Sequence, residues 1–189
     1  GREVLTDVPL IASNDMGARS SIGVTLETYL MLPWSNVALY QQEKTEKVID
    51  GLRYGNGVLY DAKTSRLYVA ESTGQKVHAY AYDKARSQLD LLWQLSIPMA
   101  LDNLSMAPDG SLLVTGHPKI FEFLAHAANP SLAASSEVVR ISNLEQKPQW
   151  ETLYLDSGEN ISSAPIAVEF EGRLFIGAVF DDHVLMCDL

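Results

Sequence analysis

The chain has 189 residues, enough for one domain with a sizeable core, and its 47% hydrophobic and 20% charged residues are the balance of an ordinary globular protein. A net charge of −10 argues against nucleic acid as a partner, because phosphates need a basic surface. No run of about 18 apolar residues is present, so the sequence predicts no membrane-spanning helix.

Residues 1–13 read as a strand, with Val8, Leu10 and Ile11 apolar and Ser13-Asn14-Asp15 closing the run. A small, polar stretch over 16–24 reads as a loop. Residues 25–32 have helix-forming composition, with Thr25 able to cap and Pro33 able to stop the run. Leu26, Tyr29 and Leu30 fall at helical spacing, as in a surface helix packed on sheet ends.

From Trp34 onward the pattern is β. Asn36–Tyr40 and Lys44–Ile49 predict a hairpin around Gln41-Gln42-Glu43. Val58–Tyr60, Arg66–Ala70, Lys76–Tyr82 and Leu89–Leu95 form one set of four strands. Leu104–Ala107, Ser111–Thr115, Lys119–Leu124 and Glu137–Ile141 form a second. Trp150–Leu155, Ile166–Phe170, Arg173–Val179 and His183–Asp188 form a third. The Ala/Asn/Pro/Ser-rich stretch His126–Ser136 reads as a loop.

The sets carry a repeat. Gly55-Asn56-Gly57 stands ahead of Leu67-Tyr68-Val69-Ala70, Leu101-Asp102-Asn103 ahead of Leu112-Leu113-Val114-Thr115, and Ser162-Ser163-Ala164 ahead of Leu174-Phe175-Ile176-Gly177. Recurrence at roughly 45–60 residues suggests four-stranded propeller blades. The expected fold is therefore all-β, with about three four-stranded antiparallel blades and one short helix in a single partial-propeller domain over 1–189. Three blades do not close a ring. The chain starts at Gly1 without a methionine and shows no signal peptide, so a missing N-terminal half or a second chain is expected to complete the propeller.

Amide and carboxylate oxygens at the same point of successive blades would converge near a central axis, which suits a hard cation such as Ca²⁺. Asn56, Asp102 and Asn103 are the candidate metal ligands. Asn56-Gly57 taken alone is equally a turn, since both residues tolerate positive φ. His117, ahead of Pro118, is a candidate pocket-lining residue; its ordinary reading is a structural histidine. His78, His126 and His183 receive no role. No Gly-x-Ser-x-Gly elbow and no Gly-rich phosphate loop before a helix is present, and the single cysteine excludes a multi-cysteine zinc site. Cys187 reads either as a small hydrophobe or as half of a disulfide whose partner lies outside this chain.

Several of these segments, in order, resemble the serum paraoxonase/arylesterase family of six-bladed, calcium-dependent propeller hydrolases. Ser13-Asn14-Asp15, followed by Tyr29-Leu30 and Trp34, looks like the family's Thr-Asn-Asp strand end and the helix after it. Gly55-Asn56-Gly57 looks like its Ala-Asn-Gly turn, and Tyr68-Val69-Ala70-Glu71 like its Tyr-Val-Ala-Glu strand. Leu101-Asp102-Asn103-Leu104-Ser105 is similar to its Asp-Asn-Ile-Ser element, and His117-Pro118 to its His-Pro pair. Ser136-Glu137-Val138-Val139-Arg140-Ile141 and the terminal Met186-Cys187-Asp188-Leu189 look like later strands. The family's histidine after Asp15 is here Met16, and its cysteine before the His-Pro pair is Gly116.

The resemblance spans this chain but only the C-terminal half of the family. It implies a catalytic Ca²⁺ with Asn56, Asp102 and Asn103 among its ligands. The remaining ligands, the histidine pair used as base and the cysteine that would pair with Cys187 would lie before Gly1. A small ester or lactone substrate and an extracellular setting follow from the same resemblance. The expected function is a calcium-dependent arylesterase or lactonase, incomplete and weak or inactive as this chain alone. The alternatives are a gluconolactonase-type lactonase and a non-catalytic propeller fragment acting as a binding module.

Overall fold

The computed structural model of the chain describes residues 9–41, 43–83 and 88–189. Val8 and Gln42, both used in the expectations above, lie outside the described residues.

Four antiparallel sheets follow one another along the described residues. The first holds β1 (Leu10–Asn14), β2 (Ser35–Gln41) and β3 (Lys44–Leu52). The second holds β4 (Gly55–Asp61), β5 (Arg66–Glu71), β6 (Lys76–Asp83) and β7 (Gln88–Ser96). The third holds β8 (Ala100–Met106), β9 (Leu112–His117), β10 (Ser136–Ser142) and β11 (Gln149–Asp156). The fourth holds β12 (Ile166–Phe170), β13 (Arg173–Gly177) and β14 (Leu185–Asp188). Each strand pairs with the next in sequence within its sheet, the up-and-down meander of a propeller blade.

Among the described residues two helices are present rather than one. α1 (Ser21–Leu30) begins four residues earlier than expected. Ser20, not Thr25, is its cap, and the Ser20 hydroxyl accepts from the Gly23 N–H at 3.1 Å. Met31 ends it in the left-handed region (φ 51), before Pro33 is reached. Buried Glu27 ties α1 to the preceding loop by accepting the Gly17 and Ala18 N–H groups at 2.8 and 2.7 Å.

α2 (Ile120–Ala128) replaces the strand expected over Lys119–Leu124 and runs into the expected loop. Its Phe-x-Phe run alternates as a strand would. Helical spacing shows in one exposed pair, Lys119 with Glu122 at 2.8 Å, three residues on. β11 is the fourth strand of the third sheet, so the last sheet has three strands and not four.

The inner strands β5 and β9 of the middle sheets are buried on both faces. From β5, Leu67 and Val69 pack toward the first sheet with Val37, Ile49 and Leu52. Tyr68 and Ala70 pack toward the third with Met99, Leu112, Val114 and Ile141. From β9, Leu113 turns the other way, onto Ala164, Leu174 and Ile176 of the fourth sheet. This accounts for the unbroken apolar runs of β5 and β9, because a strand covered on both faces has no polar side. Each fully buried aliphatic side chain there contributes roughly 1.5–3 kcal/mol. Between blades, Arg66 pairs with Glu145 at 2.7 Å, and Arg140 with Glu169 at 2.5 Å. On the fourth sheet Val168, Phe170 and Met186 stay exposed.

Candidate functional site

The site starts from two irregularities in the ladders. β4 and β5 lose register between Gly55 and Val58, and β8 and β9 lose it between Leu101 and Leu104. The residues freed from pairing are Asn56-Gly57 and Asp102-Asn103. A bulge bends its strand and re-aims the side chains it carries. The two bulges touch. A Cβ on Gly57 would lie 2.5 Å from the Asp102 carbonyl oxygen and 2.8 Å from the Asn103 Cα, so only glycine allows this approach.

Each bulge side chain then meets a residue just past or at the end of the neighbouring strand. Asn56 Nδ2 donates to Ser72 Oγ at 3.4 Å, and His117 Nε2 lies 3.3 Å from Asp102 Oδ2. The Ser72 hydroxyl gives its own proton to the Leu101 carbonyl, which ties the second sheet to the third. Asn103 Nδ2 donates to Asp102 Oδ1 at 2.9 Å and to the Pro165 carbonyl at 3.3 Å, and the Asn103 backbone N–H donates to that same carbonyl at 3.0 Å.

Asn56, Ser72, Asp102 and His117 line one cavity of about 60 Å³. Tyr29 near the end of α1 and Phe121 and Phe123 of α2 supply apolar walls. Asn103 does not line this cavity; it stands beside Asp102, against the fourth sheet. The structure thus brings Asn56, Asp102 and His117 to one pocket and holds Asn103 against Asp102 from outside it.

His117 is 3% exposed, and its ring stacks on Phe123 with centroids 4.2 Å apart and planes at 12°. Its Nε2 faces a carboxylate, so the neutral ring carries its proton there and its lone pair on Nδ1. Nδ1 is buried and has no hydrogen-bond partner among the described residues.

Tyr54 also lines the cavity and adopts φ 58, in the left-handed region. Burial raises its phenol pKa above the ordinary tyrosine value, and the charges of Asp15 and Asp102 and a hydrogen bond to Asp15 add to the rise. It stays a neutral phenol between two carboxylates. Tyr54 and Ser72 escaped the sequence reading as functional residues. Ser72 was legible in principle: it follows Asn56 by 16 residues, as His117 follows Asp102 by 15. Tyr54 left no such signal, since its place follows from a backbone conformation.

Among the described residues no three His, Cys, Asp or Glu side chains gather as a metal site. The candidate set is of another kind, one carboxylate with two amides. Cys187 lies on β14, as expected, and is a free thiol. Burial, then the Asp188 charge, raises its pKa above the ordinary thiol value.

Comparison with known proteins places this architecture. A family model described as Arylesterase matches residues 10–189. Serum paraoxonase/arylesterase 1 of Mus musculus is 35% identical over 166 residues, covering 86% of this chain and 45% of that protein. Serum paraoxonase/lactonase 3 of Oryctolagus cuniculus is 29% identical over 181 residues, covering 94% and 50%. The chain therefore spans about half the length of the curated relatives it matches. A crystal structure from Bacteroides fragilis, provisionally named a 6-phosphogluconolactonase, superposes with a TM-score of 0.53 at 11% identity, over 79% of this chain and 39% of that one.

Proposed function

The chain belongs to the arylesterase family, and from that premise and the pocket between its two inner bulges we propose that it carries the calcium-binding part of an ester or lactone hydrolase. The single observation that supports this is the state of the two amides. Both Asn56 and Asn103 spend their Nδ2 groups on protein acceptors, and no described residue donates to either Oδ1. Together with the Asp102 carboxylate they would offer an all-oxygen donor set, Asn56 and Asp102 from the cavity wall and Asn103 from just outside it, the chemistry that Ca²⁺ takes and that Zn²⁺ sites rich in Cys and His do not offer.

When bound, Ca²⁺ would polarise a substrate carbonyl and favour the developing oxyanion. The chain's own residues do the rest of what is available here. Asp102 is oriented by His117 on one oxygen and by Asn103 on the other. His117, clamped by Phe123, shapes the floor. Tyr29, Phe121 and Phe123 offer an apolar surface for the acyl or alcohol part of an ester.

The set is short. Ca²⁺ prefers six to eight oxygens, and three side chains with one formal negative charge leave places to water or to another segment. Affinity in this chain alone is expected in the millimolar range, ~10⁻³ M. Esterase turnover is expected far below that of an intact enzyme, with the missing donors and base supplied by a preceding half or a second chain. The serum names of the relatives support an extracellular setting, where Cys187 would pair with a cysteine outside this chain.

Calorimetric Ca²⁺ titration, with aryl-ester and lactone assays on this chain and on Asp102→Ala, tests the reading. Binding lost in Asp102→Ala supports it. Strong turnover indifferent to chelator and to Asp102→Ala overturns it and puts the chemistry elsewhere.

A further inference from the structure

We propose that Ser72 is a positioning residue that fixes which end of the Asn56 amide is available to a ligand; the link to a cation rests on the calcium reading above. A serine hydroxyl has one proton. Ser72 gives that proton to the Leu101 carbonyl across the blade junction. Its oxygen is then an acceptor only, and the amide end that can meet it is Nδ2. Asn56 Oδ1 is left as the free end. Were the amide reversed, two acceptor oxygens would face each other at 3.4 Å with no proton between them.

The hydroxyl is itself held firmly. Ser72 is 5% exposed, and its N–H donates to the Tyr54 carbonyl at 2.8 Å. On one side Glu71 accepts the Arg53 N–H at 2.8 Å; on the other Thr73 Oγ1 donates to the Arg53 carbonyl at 3.1 Å. Residues 71–73 thus grip the backbone of 53–54 just ahead of Asn56. Glu71 is fixed in turn by His78 Nε2 at 2.7 Å, and His78 Nδ1 by Gln94 at 3.0 Å. The chain from Gln94 through His78 and Glu71 lies outside the pocket lining, reaches the pocket at Ser72 and ends on one amide.

The first test needs no metal. In the apo protein the Asn56 side-chain amide protons are expected to exchange slowly with water by NMR. Ser72→Ala should abolish that protection and Ser72→Thr should keep it. Protection unchanged in Ser72→Ala overturns the proposal whatever calcium does. The second test is a cycle. Ca²⁺ affinity should fall about tenfold in Ser72→Ala, the scale of losing an outer partner of a ligand, and recover in Ser72→Thr. In an Asn56→Asp background the same Ser72→Ala change should cost nothing, because a carboxylate has no wrong end. An equal loss in both backgrounds makes Ser72 merely structural and overturns the proposal. Absence of Ca²⁺ binding by the wild-type chain sinks the calcium reading, and the apo exchange result then decides the proposal alone.

Discussion

Glu71 Oε2 and His78 Nε2 lie 2.7 Å apart at the end of the second sheet, both residues 5% exposed or less. Burial by itself would raise the Glu71 pKa. The His78 hydrogen bond, the Arg53 N–H and the His78 charge outweigh it, and the net shift is downward from 4.5. A depressed carboxylate contributes stability above its unfolded value and loses it as pH falls through the folded one. Glu71→Ala should therefore destabilise the chain by about 3 kcal/mol at neutral pH, since it strands a buried partner. The gap from wild type should shrink as pH drops below 4.5. Urea denaturation midpoints across that range check this; a gap constant with pH would be at odds with it.

Gly57 and Gly110 make a paired prediction about packing against backbone strain. A methyl on Gly57 meets backbone atoms at 2.5 and 2.8 Å, whereas one on Gly110 meets nothing within 4 Å but sits at φ +84. Gly57→Ala must part the two bulges and should cost about 1–3 kcal/mol, the range for overpacking. It should also weaken Ca²⁺ binding. Gly110→Ala should cost about 1 kcal/mol through its φ alone and leave binding untouched. Thermal melts with calcium titrations separate the two.

Much of this was legible because blades alternate with period two and turns carry Gly, Asp and Asn. The bulge residues Asn56 and Asp102 were legible too, since they interrupt apolar runs at the same place in successive repeats. α2 was not. Ile120-Phe121-Glu122-Phe123 reads equally as a strand, and the stacking of Phe123 on His117 and the wall α2 gives the pocket are contacts between residues that no local pattern announces. Once that stretch is misread, strand counting shifts by one and the last blade gains a strand it lacks. Asn103 joins the candidate ligands through the repeat position it shares with Asp102 and through the resemblance of Asp102-Asn103-Leu104-Ser105 to the family's Asp-Asn-Ile-Ser element, and neither shows where its side chain goes. Its amide is spent on Pro165 of the next sheet, a contact between residues 62 apart that no local pattern announces.

Tyr154 on β11 offers an alkaline test. Its phenol pKa is raised from 10.0 to about 12 by burial first, then by the charges of Asp156 and Cys187. A raised value contributes stability that is whole below the unfolded pKa and lost as pH rises through the folded one. Between pH 10 and about 12 the wild-type chain should lose stability that Tyr154→Phe retains. Phenolate absorbance should show several late-titrating tyrosines, Tyr54 among them, and one fewer in the variant. Titration of all tyrosines together near 10 would contradict the buried placement of the Tyr154 hydroxyl.

Asp102 and His117 should respond differently to substitution, because one belongs to the donor set and the other orients it. Asp102→Ala removes the one carboxylate of the proposed donor set and strands His117 Nε2 in a place 3% exposed. It should abolish Ca²⁺ binding and cost about 1–3 kcal/mol for the unpaired buried nitrogen. His117→Gln keeps a donor for Asp102 Oδ2 but loses the ring that stacks on Phe123. It should hold Ca²⁺ affinity within about threefold while loosening α2, since a residue acting through a ligand matters less than the ligand. Calorimetry gives the affinities, and hydrogen exchange over residues 120–128 reports the helix. If His117→Gln abolished binding as fully as Asp102→Ala, His117 would rank as a member of the donor set and not as its support.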